Sequence, residues 1–388
     1  MYFSRHKNFG LLSALSLLAA CAQTPAPPAP VILLPSVGEV ELQVAVNPPA
    51  AAVQLDVGIK IFANRLNASD YERFGEWVFS EIRENEVNYL PYVLRNTLLD
   101  ANEWGAVRVL PEDDPSVDLQ ISGTVLQSDG ERLEIEIIAE DSSGRQWLQK
   151  TYADTTTLDD YPEAERYTPG NRFDPNSFTD PFQDLYDQVA NDLLAVRQAF
   201  VSDELVNIKR VSEMIYASDL SPETFANTLT ETEEGLLTVN SLLAENDPML
   251  ARVTQMRLRH AVFIDTVDEY YEALYEEMQP TYVIWRRYSH DQIAEDERVT
   301  EQIAEYDIDN FESERTYLSF MQRYDRFRWS KIYEQEFREL AAGFNKELAP
   351  AILKLSEQVN GVSGPMAEQY SQWRKILQDL FKLETEQM

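Results

Sequence analysis

Cysteine is nearly absent: Cys21 is the only one in 388 residues, and there are only three histidines. A lone thiol forms no intrachain disulfide and no cysteine-built metal cage. Once Cys21 is itself modified, no thiol nucleophile is left. Nor is there an apolar run long enough at the start of the chain to cross a bilayer. Phe9–Leu18 falls well short of the roughly 20 residues such a helix needs. No P-loop, dinucleotide fingerprint or His-Glu-x-x-His occurs, and Gly361-Val-Ser363-Gly lacks the spacing of a nucleophile elbow. Basic residues are scarce too, 33 Lys and Arg against 67 Asp and Glu, a net charge of -34. That field repels phosphate backbones and anionic lipid surfaces, so the reading assigns no nucleic-acid partner.

What is present begins at the N-terminus. Arg5 and Lys7 form a short basic region, Phe9–Leu18 a short apolar one, and Leu18-Ala19-Ala20 places small residues before Cys21. This order is that of an export signal rather than a transmembrane helix. It resembles the signal peptide and lipobox of bacterial lipoproteins. The resemblance implies that Cys21 is acylated and becomes the first residue of the mature protein. Ala22, in place of Asp, implies sorting to the periplasmic face of the outer membrane. The alternatives are an ordinary secretory signal with a chance cysteine, or an uncleaved anchor. Neither explains why the sole cysteine falls where the lipobox needs it. Several acyl chains, at about 0.8 kcal/mol per buried CH2, would hold the protein firmly. Thr24–Pro35 follows with five prolines in twelve residues, a semi-rigid extended spacer.

Hydrophobic residues make up 44% of the chain and aromatics 11%, enough to fold. The length suggests two domains. From Glu39 the apolar period is two: Val40, Leu42, Val44 and Val46, then Val53, Leu55, Val57, Ile59 and Ile61. Alternation of this kind predicts strands with one buried face. Leu90–Leu99 reads as a helix opened by Pro91, followed by a strand at Val107–Leu110. Runs from Asp118, Arg132 and Gln146, separated by Ser-Asp-Gly and Asp-Ser-Ser-Gly turns, predict a three-stranded antiparallel meander. Phe182–Phe200 is an amphipathic helix. The order strand, helix, strand, meander and closing helix is similar to the small α+β module of several envelope proteins. These are the curli-secretion lipoprotein, the N-terminal domain of the Tol-Pal propeller protein, and lipoprotein activators of peptidoglycan synthases. Such modules bind other proteins, and the resemblance brings no catalytic residues with it.

Beyond Ser202 strand signals disappear. Ser221-Pro222 and Asp247-Pro248 read as helix starts. Val253, Met256, His260, Phe263, Val267, Tyr270 and Leu274 form a 3,4 seam for packing on other helices. A second aromatic-rich pattern spans about 311–344, and a last helix reaches about Leu383. The expected organisation is therefore a signal peptide (1–20), a tether (21–37), an α+β domain with an antiparallel meander (38–200) and an all-α helical bundle (201–388).

Chemistry-bearing candidates are few. His260, on the apolar seam, fits a buried structural histidine better than a ligand. His290 and Asp291, with Glu295 and Asp296 nearby, form a weak candidate for a divalent cation in a chain this rich in acids. Asp307-Ile-Asp309-Asn310 has the wrong spacing for a calcium loop. Tyr282, Trp285, Tyr288, Trp329, Tyr333 and Trp373 fit a core better than a sugar groove. Arg286-Arg287 and the stretch Arg323–Arg328 are local positive islands, better suited to internal ion pairs than to docking. No cofactor is expected. The leading expectation is a non-enzymatic outer-membrane lipoprotein, anchored through Cys21, that binds a protein partner in envelope assembly or secretion. The alternatives are an envelope hydrolase using carboxylates of the helical half and a lipoprotein with an aromatic ligand pocket.

Overall fold

The computed structural model describes residues 33–65, 80–161, 179–241, 247–305 and 365–386. Its centre is the meander: β4 (Leu119–Ser128), β5 (Arg132–Asp141) and β6 (Gln146–Thr155) pair antiparallel, as their alternation predicts. The Asp-Gly turn closes on itself. Asp129 Oδ1 accepts from the N–H groups of Glu131 and Arg132, and Asp129 N–H donates to the Arg132 carbonyl. Two earlier strands extend the sheet in parallel: β1 (Val57–Lys60) lies between β4 and β3 (Val107–Leu110). A two-residue β2 (Ala63–Asn64) pairs with β4. The order β3-β1-β4-β5-β6 makes the sheet mixed, with helices around it.

One sheet face is the core. Leu119, Ile121, Val125, Leu133, Ile135, Ile137 and Ala139 are each fully buried. They pack in one cluster with residues of α1 (Ser80–Asp100) and α2 (Gln183–Ala199), including Tyr89, Leu94, Leu185, Val189 and Leu193. Burying a side chain of this size contributes roughly 1.5–3 kcal/mol, so this face fixes the register of the meander.

Several expectations are corrected. Residues 40–46 form no strand. They run extended along α2, held by Val40 N–H to Asp184, Gln43 N–H to Asn191 and Asn191 Nδ2 to the Glu41 carbonyl. With these bonds going to side chains rather than a strand, Val46 is left 94% exposed. The alternation through 53–61 becomes strand only at Val57–Lys60. Pro91 does not open a helix: it lies inside α1. A proline there removes the N–H that would bond the carbonyl four residues back. That carbonyl, on Val87, instead accepts from Phe62 N–H at 2.9 Å, so the break is satisfied by the neighbouring chain.

The second half is not all helical among the described residues. After α3 (Ser202–Leu220) and a single turn, α4 (Pro222–Phe225), a hairpin forms from β7 (Leu229–Glu231) and β8 (Leu237–Val239). Its turn needs Gly235, whose φ of +82° suits glycine alone. The short apolar/polar alternation around Thr-Glu-Glu-Gly carried this signal. The long helix α5 (Pro248–Glu305) starts where Asp247-Pro248 predicts, with Asp247 Oδ1 accepting from Met249 N–H. Its seam is buried as expected: Val253, Met256, His260 and Val267 are fully buried. Its partners are α1, strand β3 and the last helix α6 (Met366–Glu386), not helices alone. Asp268 on α5 accepts from Val109 N–H at 2.8 Å, capping the sheet's β3 edge. The pattern at 311–344 lies outside the described residues.

Candidate functional site: a groove on the open face of the meander

The sheet's second face carries the alternate residues of the same strands. Here the cross-strand pairs Gln120–Glu140 and Ser122–Ile138 form the floor of a groove of about 700 Å³. The loop Asp113–Val117 after β3 makes one wall, with Asp141 and Ser142 of the β5–β6 turn beside it. Ile215 and Asp219 of α3 and Arg374 of α6 contribute to the lining from the helical side.

Most ionisable groups here are already engaged. Asp114 is buried, and its Oδ2 lies 2.7 Å from His260 Nε2 and also accepts from the Tyr370 hydroxyl. Its Oδ1 accepts from Ser116 N–H and the Ser116 hydroxyl. Burial alone would raise the Asp114 pKa. The His260 imidazole and these hydrogen bonds outweigh it and hold the carboxyl well below its ordinary range. Three segments distant in sequence thus meet on one carboxylate: the β3–β4 loop, α5 and α6. Asp141 accepts from Ser143 N–H, the Ser143 hydroxyl and Trp147 Nε1. Asp113 pairs with Lys60 at 2.9 Å, and Asp219 with Arg374 at 3.1 Å. Glu140 stands exposed on the floor.

A general acid near neutral pH needs a carboxyl whose pKa is raised toward the working range. Asp114, the buried acid at the groove wall, is shifted the other way. Beneath the neighbouring end of the sheet sits a second polar cluster, which fixes α5 to the β4–β5 turn. Arg286 is fully buried and donates to the Asp129 carbonyl at 2.7 Å, to Ser128 Oγ at 2.9 Å and to the Tyr282 hydroxyl. Its guanidinium lies 3.9 Å from Glu86 and 4.5 Å over the Phe182 ring.

Cys21 lies outside the described residues. His260 is the buried structural histidine expected on the seam. His290 is half-buried, its ring 5.7 Å from that of Tyr161 and its Nδ1 without a hydrogen-bond partner among the described residues. Asp291 belongs to α5, but its side chain lies outside the described set. No group of three or more potential metal ligands occurs among the described residues. Tyr282 and Trp285 are core, and Trp373 stacks on Phe263. Tyr288's side chain, Trp329, Tyr333, Asp307–Asn310 and Arg323–Arg328 also lie outside. Sequence reading missed Asp114, Asp219 and Arg374, because no motif marks residues that only tertiary packing brings together.

No protein-family model and no curated protein matches the sequence. Solved structures overlay on part of it, among them the following two. One is a dodecamer of PelC from Paraburkholderia phytofirmans, at 17% identity and a TM-score of 0.22, covering 37% of this chain and 92% of that one. The other is the hypothetical protein CT253 from Chlamydia trachomatis, at 9% identity and a TM-score of 0.23, covering 37% of this chain and 94% of that one. Similarity this distant carries no argument about the site.

Proposed function

We propose that this chain is an envelope lipoprotein that does no chemistry of its own and docks a protein partner through the groove on its meander face. The observation that carries the reading is the arrangement Leu18-Ala19-Ala20-Cys21 followed by a proline spacer. It would fix the folded unit to the periplasmic face of the outer membrane at a set reach. Among the described residues no helix is long and apolar enough to cross a membrane, so the acyl chains on Cys21 are the anchor in this reading. The engaged carboxylates of the groove support binding over hydrolysis. The helices α3, α5 and α6 act as scaffold, holding the groove wall through Asp114 and Asp219.

In-cell crosslinking and capture of the acylated protein, set beside Cys21→Ser, tests this. A specific envelope partner captured with the wild type and lost with Cys21→Ser supports the reading. Absence of any specific partner, with growth and envelope integrity unchanged by Cys21→Ser, overturns it.

A further inference from the structure

The outer face of β5 reads Glu134, Glu136, Ile138, Glu140, every second residue, and Ile138 and Glu140 continue into the groove floor. Glu134 pairs with Arg132 at 3.3 Å. Around the floor are five carboxylates, of which Asp113 pairs with Lys60, Asp114 with His260 and Asp219 with Arg374, Asp141 is bonded within its own turn, and Glu140 stands exposed. The ion pairs at the rim are weak holds: Asp113 is 68% exposed in its pair with Lys60, and exposed pairs contribute only ~0–1 kcal/mol. Like charges along one strand face repel, and a concave low-dielectric wall concentrates their field. Between the acids the surface is apolar, at Ile138 and Ile215.

Resting on the docking reading above, we infer that the groove takes an extended segment of the partner bearing Lys or Arg four residues apart with an apolar residue midway between them. Residues two apart in an extended chain are spaced roughly 6.6–6.8 Å, the same as successive outward side chains of β5. A cation every fourth residue therefore falls in step with Glu136 and Glu140, while an apolar residue midway between two cations, on the same face, meets Ile138. The chain's overall acidity gives long-range attraction for such a segment, and the groove gives it a register.

The test uses the full mature chain carrying Cys21→Ser and a fluorescein-labelled peptide of about ten residues in which Lys and Leu take turns at every second position with Ser between them, so that both share one face, read by anisotropy. A Glu/Leu counterpart is the second probe. The Lys peptide binds and weakens with added salt, and the Glu peptide does not bind. Glu136→Gln with Glu140→Gln weakens binding roughly tenfold. Glu233→Gln with Glu234→Gln, neutralising as much charge at the exposed β7–β8 turn, changes it less than about twofold. Ile138→Lys, which sets a cation in the floor, abolishes it. Unfolding midpoints of all variants separate loss of binding from loss of fold. Equal weakening by both Gln pairs, or equal binding of both peptides, overturns the inference. If the Glu136/Glu140 pair leaves in-cell capture intact while Cys21→Ser abolishes it, the cationic segment is wrong and the docking reading stands.

Discussion

Replacing Arg286 by methionine isolates the energetics that hold α5 against the meander. Arg286 and Glu86 are both fully buried, and their charged ends lie 3.9 Å apart. At an effective dielectric of about 20, unit charges at that separation attract by roughly 4 kcal/mol. The methionine keeps most of the packing volume over Phe182 but removes the cation. The Glu86 carboxyl would then lose the cation 3.9 Å from it, and the Asp129 carbonyl would lose the guanidinium donor bound to it at 2.7 Å. Breaking a buried pair from one side costs about 3–5 kcal/mol. Replacing both partners by apolar residues, Arg286→Met with Glu86→Leu, removes the buried carboxyl together with the cation. The Ser128 and Tyr282 hydroxyls then each lose a partner at roughly 1 kcal/mol, so the double variant lands within about 1–3 kcal/mol of wild type. Urea unfolding of wild type, both singles and the double closes the cycle and gives the coupling. A cost below about 1 kcal/mol for Arg286→Met, or strictly additive singles, refutes this account.

Other expectations follow from the same geometry. Asp118, Asp154, Asp180, Asp187 and Asp268 all have their pKa raised above the ordinary 3.8, burial being the first cause in each. From 3.8 up to each raised value the folded state holds more protons than the unfolded, so stability falls as pH rises through that interval. Asp114 and Asp192, lowered instead, surrender their stabilisation only as pH falls below 3.8. The unfolding midpoint is therefore expected to fall as pH rises from 3.8 through the raised pKa values of these five groups, and a midpoint rising steadily through that interval contradicts the assignment. Gly130→Ala would place a Cβ 2.1 Å from the Arg286 carbonyl oxygen and the His290 nitrogen, both backbone. It costs about 1–3 kcal/mol, and faster hydrogen exchange near 286–290 marks the site. Asn102 closes α1 at φ +56° and bonds the Ala45 carbonyl. Asn102→Ala loses about 1–2 kcal/mol in urea unfolding, while Asn102→Gly loses only the side-chain bond.

The meander, α2 and the start of α5 were legible because each rests on a local cause: period-two alternation, an Asp-Gly turn, an Asp-Pro helix start. The errors have local causes as well. Val40–Val46 alternates like a strand, but alternation records only which side chains could be buried, not whether a neighbouring strand is there to accept the backbone. Here α2 side chains take those hydrogen bonds instead. Pro91 looks like a helix start because the rescue of the Val87 carbonyl comes from Phe62, far away in sequence. The parallel placement of β1 between β3 and β4 is likewise invisible to periodicity, which says nothing about strand order.

The groove was illegible for a deeper reason. In a chain with 67 acids no single carboxylate stands out, and what separates Asp114 from the others is its surroundings. Its partners His260 and Tyr370 come from 146 and 256 residues away. The two-residue steps of β5 were in plain view, but Glu136 and Glu140 gain meaning only because the opposite face is sealed by Ile135 and Ile137 and packed under α1 and α2. The hydrophobic core thus does more than stabilise the sheet. By fixing which residues face inward it forces the acids outward in register, and that register would discriminate a segment with a cation at every fourth residue from an equally charged but irregular one.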